Sequence, residues 1–163
     1  LLPILFGEGG PPPPPPLPTA DLPFEDCAEA SAWSFFQVNE ARRTQGLPPL
    51  RFDPHLAALA QDQSRRMREA GRIAHEIPAG RTLARRLAHA GIDVTVAAEN
   101  VAVNTTPQGA LRAFLRSPSH RRNLFDPRFD EIGIGIVIDR AAAYRRRFFV
   151  TQIVARRHAT VGE

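Results

Sequence analysis

Nine of the chain's 16 prolines fall within its first 23 residues, six of them in the unbroken run Pro11–Pro16. Proline has no amide hydrogen and a fixed φ, so such a run enters neither a helix interior nor a central strand. It takes the extended polyproline form instead, rising ~3.1 Å per residue without internal hydrogen bonds. Whatever packs around a core must come from the rest of the chain. Residues 1–23 therefore read as a proline-rich tether or the remnant of an export segment, 24–157 as one folded domain, and 158–163 as a tail. Leu1–Phe6 is apolar but too short for a signal-peptide core.

Composition narrows the class. The 163 residues suffice for one domain and a tail, and 43% apolar with 23% charged residues is the balance of a globular protein. A single cysteine, Cys27, rules out an internal disulfide and any thiolate-rich zinc or iron–sulfur site. It is not preceded by the small apolar residues of a lipid-modified cysteine, and reads as a half-buried thiol at a helix start. No apolar run approaches the ~18 residues of a membrane-spanning helix. Charge is uneven. All 21 basic residues are arginines beyond residue 30, where they meet 12 acids for a net charge of +9. Such a surface suits anionic lipid headgroups or acidic cell-envelope polymers. Nucleic acid is disfavoured, because no stacking aromatics are interleaved with the arginines.

The body changes period along its length. Trp33, Phe36, Val38 and Ala41 give a first helix an apolar stripe, stopped by Gly46-Leu-Pro-Pro. Asp53-Pro54 restarts a helix through Leu56, Leu59, Ala60, Gln63 and Met67 to Gly71. A third runs from about Thr82 to Gly91. Thr106-Pro107 opens a fourth with Ala110, Leu111, Phe114 and Leu115 inward, and Ser117-Pro118 opens a short turn ending near Phe125. Ile132, Ile134, Ile136 and Ile138 then alternate with Gly133, Gly135 and Val137 as a strand, the glycines marking close backbone approach or a bulge. Phe148–Ala155 is its hairpin partner, and Val94–Val103 contains a third strand. The fold class is α+β, an α-β-α sandwich with a small, mainly antiparallel sheet flanked by helices.

Of five histidines, His55, His89 and His158 read as solvated surface residues. His75 follows a Gly-capped helix, and His120 lies on a turn bounded by prolines, the kind of segment that carries function. Between them Glu99-Asn100 sits in an apolar stretch, so Glu99 is at least partly desolvated and needs a partner. That partner is a backbone amide or an arginine, or else Glu99 orients a histidine or completes a metal site.

These residues, in this order, resemble the CAP superfamily (the SCP domain of cysteine-rich secretory proteins, antigen 5 and pathogenesis-related 1 proteins), in its short, disulfide-free bacterial form. Asn39-Glu40-Ala41-Arg42 matches the family's Asn-x-x-Arg, and Gly46-Leu47-Pro48-Pro49-Leu50 its turn. His75 matches the first family histidine and Ala98-Glu99-Asn100 the Glu-Asn signature. Ser117-Pro118-Ser119-His120-Arg121-Arg122-Asn123-Leu124 matches Ser-Pro-Gly-His-Arg-x-Asn-Ile. Ile132-Gly133-Ile134-Gly135 and Val150-Thr151-Gln152 fit the closing strands.

The resemblance implies a cleft holding His75, Glu99 and His120, lined also by Asn100, Ser117 and Ser119. It implies Zn²⁺ or another divalent metal at His75 and His120, with Glu99 as a further ligand. A fourth, acidic position of larger members is Ser117 here, with Phe114 in place of their tryptophan. The expected role is a secreted or cell-envelope binding module, monomeric, for a lipid, glycan or peptide ligand in that cleft. The alternatives are a metal-dependent, protease-like hydrolase, for which His75, Glu99 and His120 are the catalytic candidates, and a basic adhesion module acting through its arginines. Ser117, ahead of Pro118, reads as a helix cap rather than a nucleophile.

Overall fold

The computed structural model of the chain describes residues 24, 26–141 and 146–158. The proline-rich segment 1–23 lies outside the described residues. Five helices and four strands follow in the order α1 (Cys27–Thr44), β1 (Arg51–Phe52), α2 (Pro54–Ala70), α3 (Leu83–His89), β2 (Val94–Asn104), α4 (Pro107–Arg116), α5 (Pro118–Phe125), β3 (Glu131–Asp139) and β4 (Arg147–Arg157). The helix starts obey local chemistry. Asp26, Asp53, Thr82 and Thr106 each accept a backbone N–H from the first turn of the helix they cap. Helix α2 ends at Gly71, whose φ of 66° is the left-handed cap that favours glycine.

The sheet order is β1-β3-β4-β2. Strands β3 and β4 pair antiparallel in continuous register from Glu131↔Ala155 to Asp139↔Arg147, and β2 pairs antiparallel with the other side of β4. The short strand β1, which no sequence pattern announces, adds a parallel pair to β3 and makes the sheet mixed. An ion-pair network explains its place: Arg51 reaches Glu131, Glu131 takes Arg157, and Arg157 also reaches Asp53.

Alternation sends the two faces of the sheet to different helix layers. Ile132, Ile134, Ile136 and Ile138 with Phe148, Val150 and Val154 face α1, α4 and α5, where Val38, Leu111, Phe114 and Leu124 complete the larger core. Ile153 and Ala155 face α2 and α3 with Leu56, Ala60 and Leu87, and Phe149 and Val101 meet Met67. Gly133 and Gly135 point to this second face. A Cβ on either would strike the α2 backbone at Leu56–Ala57 or Ala60–Gln61. The glycines are thus the close approach that the sequence pattern suggested, and no bulge interrupts β3.

One expectation fails. Phe36 is not on the inner stripe of α1 but 59% exposed. The buried positions of α1 are Ala30, Ser34, Val38, Ala41 and Arg42, and two residues on from Ser34 is about 200° around the helix. Trp33 is half-buried against Phe24, ring centroids 5.6 Å apart. Cys27, the first residue of α1, is a half-buried free thiol as expected.

Candidate functional site

Glu99 and Asn100 are consecutive residues of β2, so their side chains leave opposite faces of the sheet. Glu99 turns toward α2 and α3. Its Oε2 accepts from Arg86 Nη2 at 2.7 Å, and both side chains are buried. Its Oε1 lies 3.0 Å from His75 Nδ1, in the segment joining α2 to α3. A carboxylate only accepts, so the ring carries its proton on Nδ1 and leaves Nε2 for a ligand. The His75 side chain is 56% exposed, which makes that nitrogen reachable. Arg86 also donates to the His75 carbonyl at 3.4 Å, holding the backbone that presents the ring.

Asn100 serves the other layer. Its Nδ2 donates to the backbone carbonyl of His120 at 3.2 Å, and its Oδ1 accepts from Asn123 Nδ2 at 2.9 Å. Both partners lie on α5, so this one buried amide docks that helix on the sheet. The His120 ring packs edge-on against buried Phe114, centroids 5.2 Å apart. Thus β2 carries a group for each histidine on adjacent residues. It is also one end of the sheet order among the described residues.

The electrostatics of the two imidazoles differ. The hydrogen bond to Glu99 raises the His75 pKa above the ordinary histidine value, against the opposing effect of burial. His120 is lowered, first by burial and then by the positive charge of His75. Charge on one ring therefore disfavours charge on the other. A neutral His120 beside a His75 held by a carboxylate offers one good acceptor and one good donor.

Ser117 holds the N-cap position of α5 as expected, but its hydroxyl makes no cap bond. It pairs with Ser119 Oγ at 3.1 Å, and among the described residues neither hydroxyl bonds an imidazole. His55 and His158 are exposed beside Asp53 and Asp93, and His89 is exposed at the end of α3. Among the described residues no group of three His, Cys, Asp or Glu side chains is placed to hold a metal ion. Glu99 has both oxygens engaged, one by a guanidinium, so the donors left for a cation are the imidazoles of His75 and His120. Arg86 was missed as a site residue. The signal was present, since it lies three residues after Leu83 and beside Leu87, on the inward face of α3.

Comparison with known proteins bears on the family and the fold. Residues 35–154 match the profile of the cysteine-rich secretory protein family (CAP). An uncharacterized protein of Bacillus subtilis, YkwD, is 33% identical over 101 residues, covering 61% of this chain and 39% of that protein. The chain thus matches about two-fifths of the length of this relative. An extracellular protein containing an SCP domain from Bacillus anthracis superposes with a TM-score of 0.71 at 27% identity, over 80% of this chain and 41% of that one. An outer surface protein from Borrelia burgdorferi superposes at 0.70 with 22% identity, over 82% of this chain and 96% of that one. The last shares the fold.

Proposed function

Because the chain belongs to the cysteine-rich secretory protein (CAP) family, we propose that it is an extracellular or cell-envelope binding module whose ligand docks at His75, Glu99 and His120. What carries this reading is the state of Glu99. Both its oxygens are spent, on Arg86 and on His75. A hydrolase that used Glu99 as its general base would need that carboxylate free to take a proton from water, and here it orients a ring instead. A ligand needs only what remains: the exposed His75 edge, the His120 ring, and the Ser117–Ser119 hydroxyl pair. A lipid headgroup, a glycan or a peptide each presents the oxygens that such groups bind. Residues 1–23 would act as the spacer that holds the domain away from its point of attachment.

A divalent cation fits this donor set only through two imidazoles, with Glu99 behind His75. It would supply an electrophilic anchor for a ligand oxygen. The structural relatives support the location, being an extracellular protein and an outer surface protein.

The test is a nuclear magnetic resonance screen of the full chain against phospholipid vesicles, cell-wall glycan fragments and peptides. Metal content is measured in parallel by mass spectrometry. The expected result is saturable perturbation around residues 75, 99 and 120 by one class, lost in a His75→Ala, His120→Ala double variant. Turnover of a peptide substrate that disappears in the same variant would overturn the reading in favour of a hydrolase. Binding that the double variant leaves intact would place the ligand on the arginine surface.

A further inference from the structure

On the far side of Arg86 the structure holds a second feature. A cavity of about 420 Å³ is lined by Leu59 of α2, Arg81, and Arg85, Arg86, His89 and Ala90 at α3. We propose that this cavity is an anion site that takes a phosphate group, independent of the ligand at His75 and His120.

The argument starts with an incomplete hydrogen-bond account. Arg86 has 1% of its side chain exposed, and its Nη2 is taken by Glu99 and the His75 carbonyl. Its Nε and Nη1 are buried and have no partner. Guanidinium stays charged in a protein, so these two donors cannot be silenced by losing a proton. Buried donors left unmade are costly, and nearly all in native proteins are satisfied. Arg86 itself lines the cavity, so an acceptor seated there lies next to the side chain that carries them.

The walls say what kind of acceptor. The Arg85 guanidinium donates to the Gly80 carbonyl at 2.9 Å and has no carboxylate partner among the described residues. Arg81 shares Asp62 with Arg66 and with Arg65, which also pairs with Glu69, so two carboxylates answer three guanidiniums. Burial lowers the Arg81 pKa, and the positive charges of Arg66 and Arg86 lower it further, against the opposing effect of Asp62. His89 adds a ring N–H donor to the wall. A site rich in guanidinium donors and short of negative charge is met better by phosphate than by carboxylate. Phosphate brings more charge and more acceptor oxygens. The volume lies within the ~300–1,000 Å³ of small-molecule pockets, so a phosphate ester fits as well as the free ion.

The experiment titrates the full chain with inorganic phosphate at constant ionic strength, balanced with chloride, and follows backbone amides by nuclear magnetic resonance. Arg85→Gln and His89→Gln are titrated alongside. Both residues are exposed, so neither change threatens the fold. The site predicts saturable shifts centred on residues 81–90 and a dissociation constant raised about tenfold in Arg85→Gln, the loss of one charge-assisted contact. No saturation, an equal response to chloride alone, or an unchanged constant in Arg85→Gln would overturn it. Given a saturable site, co-sedimentation with phosphatidylglycerol vesicles that phosphate displaces identifies a lipid headgroup as the source. Failure to sediment identifies a soluble phosphate compound.

Discussion

Glu99 holds His75 by its Nδ1, 3.0 Å from Oε1, while the same carboxylate balances Arg86 with its other oxygen. The bond raises the His75 pKa, so folding binds the proton more tightly than the unfolded chain does. The resulting stabilisation is complete below the unfolded value of ~6.5 and is lost as pH rises through the folded one. In Glu99→Gln this dependence disappears and His75 titrates lower, which proton NMR of the ring reads directly. The variant also leaves Arg86 buried without its counter-charge, at a cost of roughly 3–5 kcal/mol in urea unfolding. His75→Ala spares that pair, and there His120 should titrate higher because the charge that depresses it has gone.

Gly133→Ala and Gly135→Ala should each be severely destabilising, although alanine is an ordinary strand residue. The added carbon meets backbone of α2, which cannot rotate away as a side chain does. Overpacking typically costs ~1–3 kcal/mol where side chains yield, so here the loss should reach or exceed that range. Ile136→Val on the opposite face, a smaller change in a buried position, should cost only ~0.5–1.5 kcal/mol. Equal midpoints for all three in urea would mean that α2 does not lie against the glycine face.

Much of this fold was legible because its punctuation is strong. Asp53-Pro54, Thr106-Pro107 and Gly71 are start and stop signals that tertiary packing left alone, and the Ile-Gly alternation announced β3 with either a close backbone approach or a bulge, of which the structure shows the approach, by α2. Helix α1 was misread at Phe36, since an aromatic beside Trp33 looked like core while small residues and Arg42 hold the inner face. Strand β1 was invisible. Two residues carry no period, and its pairing depends on Glu131, far along the chain. In the site, the choice posed for Glu99, an arginine partner or an oriented histidine, turned out to be both. A local sequence pattern cannot show that α3 folds back to place Arg86 against β2.

Arg42 illustrates a motif residue with a structural task. It is 1% exposed, its pKa is lowered by burial, and it donates to the carbonyls of Pro48 at 2.9 Å and Leu124 at 2.7 Å. Asn39, one turn earlier, both donates to and accepts from Leu50. Together they tie the 46–50 turn and the end of α5 to α1. Arg42→Met fills the space but leaves the carbonyls bare, and should cost at least ~3 kcal/mol. Arg42→Lys should recover only part, having no planar fork with which to reach both. The readout is the urea midpoint, with ligand binding at His75 unchanged while the domain stays folded.

Acid should weaken the junction of β1, α2 and β4. Burial alone would raise the Asp53 pKa, but the Leu56 amide at 2.7 Å and Arg157 at 2.6 Å outweigh it and bring it below the ordinary value. A depressed folded value means stabilisation that is full above the unfolded pKa of ~3.9 and lost as pH falls through the folded one. Asn keeps the helix cap but not the charge, and Arg157 is partly solvated, so Asp53→Asn should lose only ~1 kcal/mol at pH 7. The gap to the parent should close as the pH is lowered past the folded value. A gap that stays constant down to pH ~2 would show that the cap, not the ion pair, is what the carboxylate contributes.

Phe114 joins the core to the site, and a pair of substitutions separates the two roles. It is 1% exposed within the core formed by α1, α4, α5 and the isoleucine face of the sheet, and its ring also braces His120 edge-on. Phe114→Ala removes both and should cost ~3–5 kcal/mol, a large share of the ~5–15 that a domain of this size has. Phe114→Leu retains most of the buried volume, so the domain should stay folded with a modest loss. What leucine cannot do is shield the His120 ring as an aromatic edge does. Burial is the leading cause of the lowered His120 pKa, so its titration in Phe114→Leu should move up toward the ordinary histidine value while His75 stays where Glu99 holds it. Ring-proton titrations of both histidines in one sample read the two effects side by side. If His120 titrates unchanged beside leucine, its burial comes from β2 and α5, and Phe114 serves the core alone.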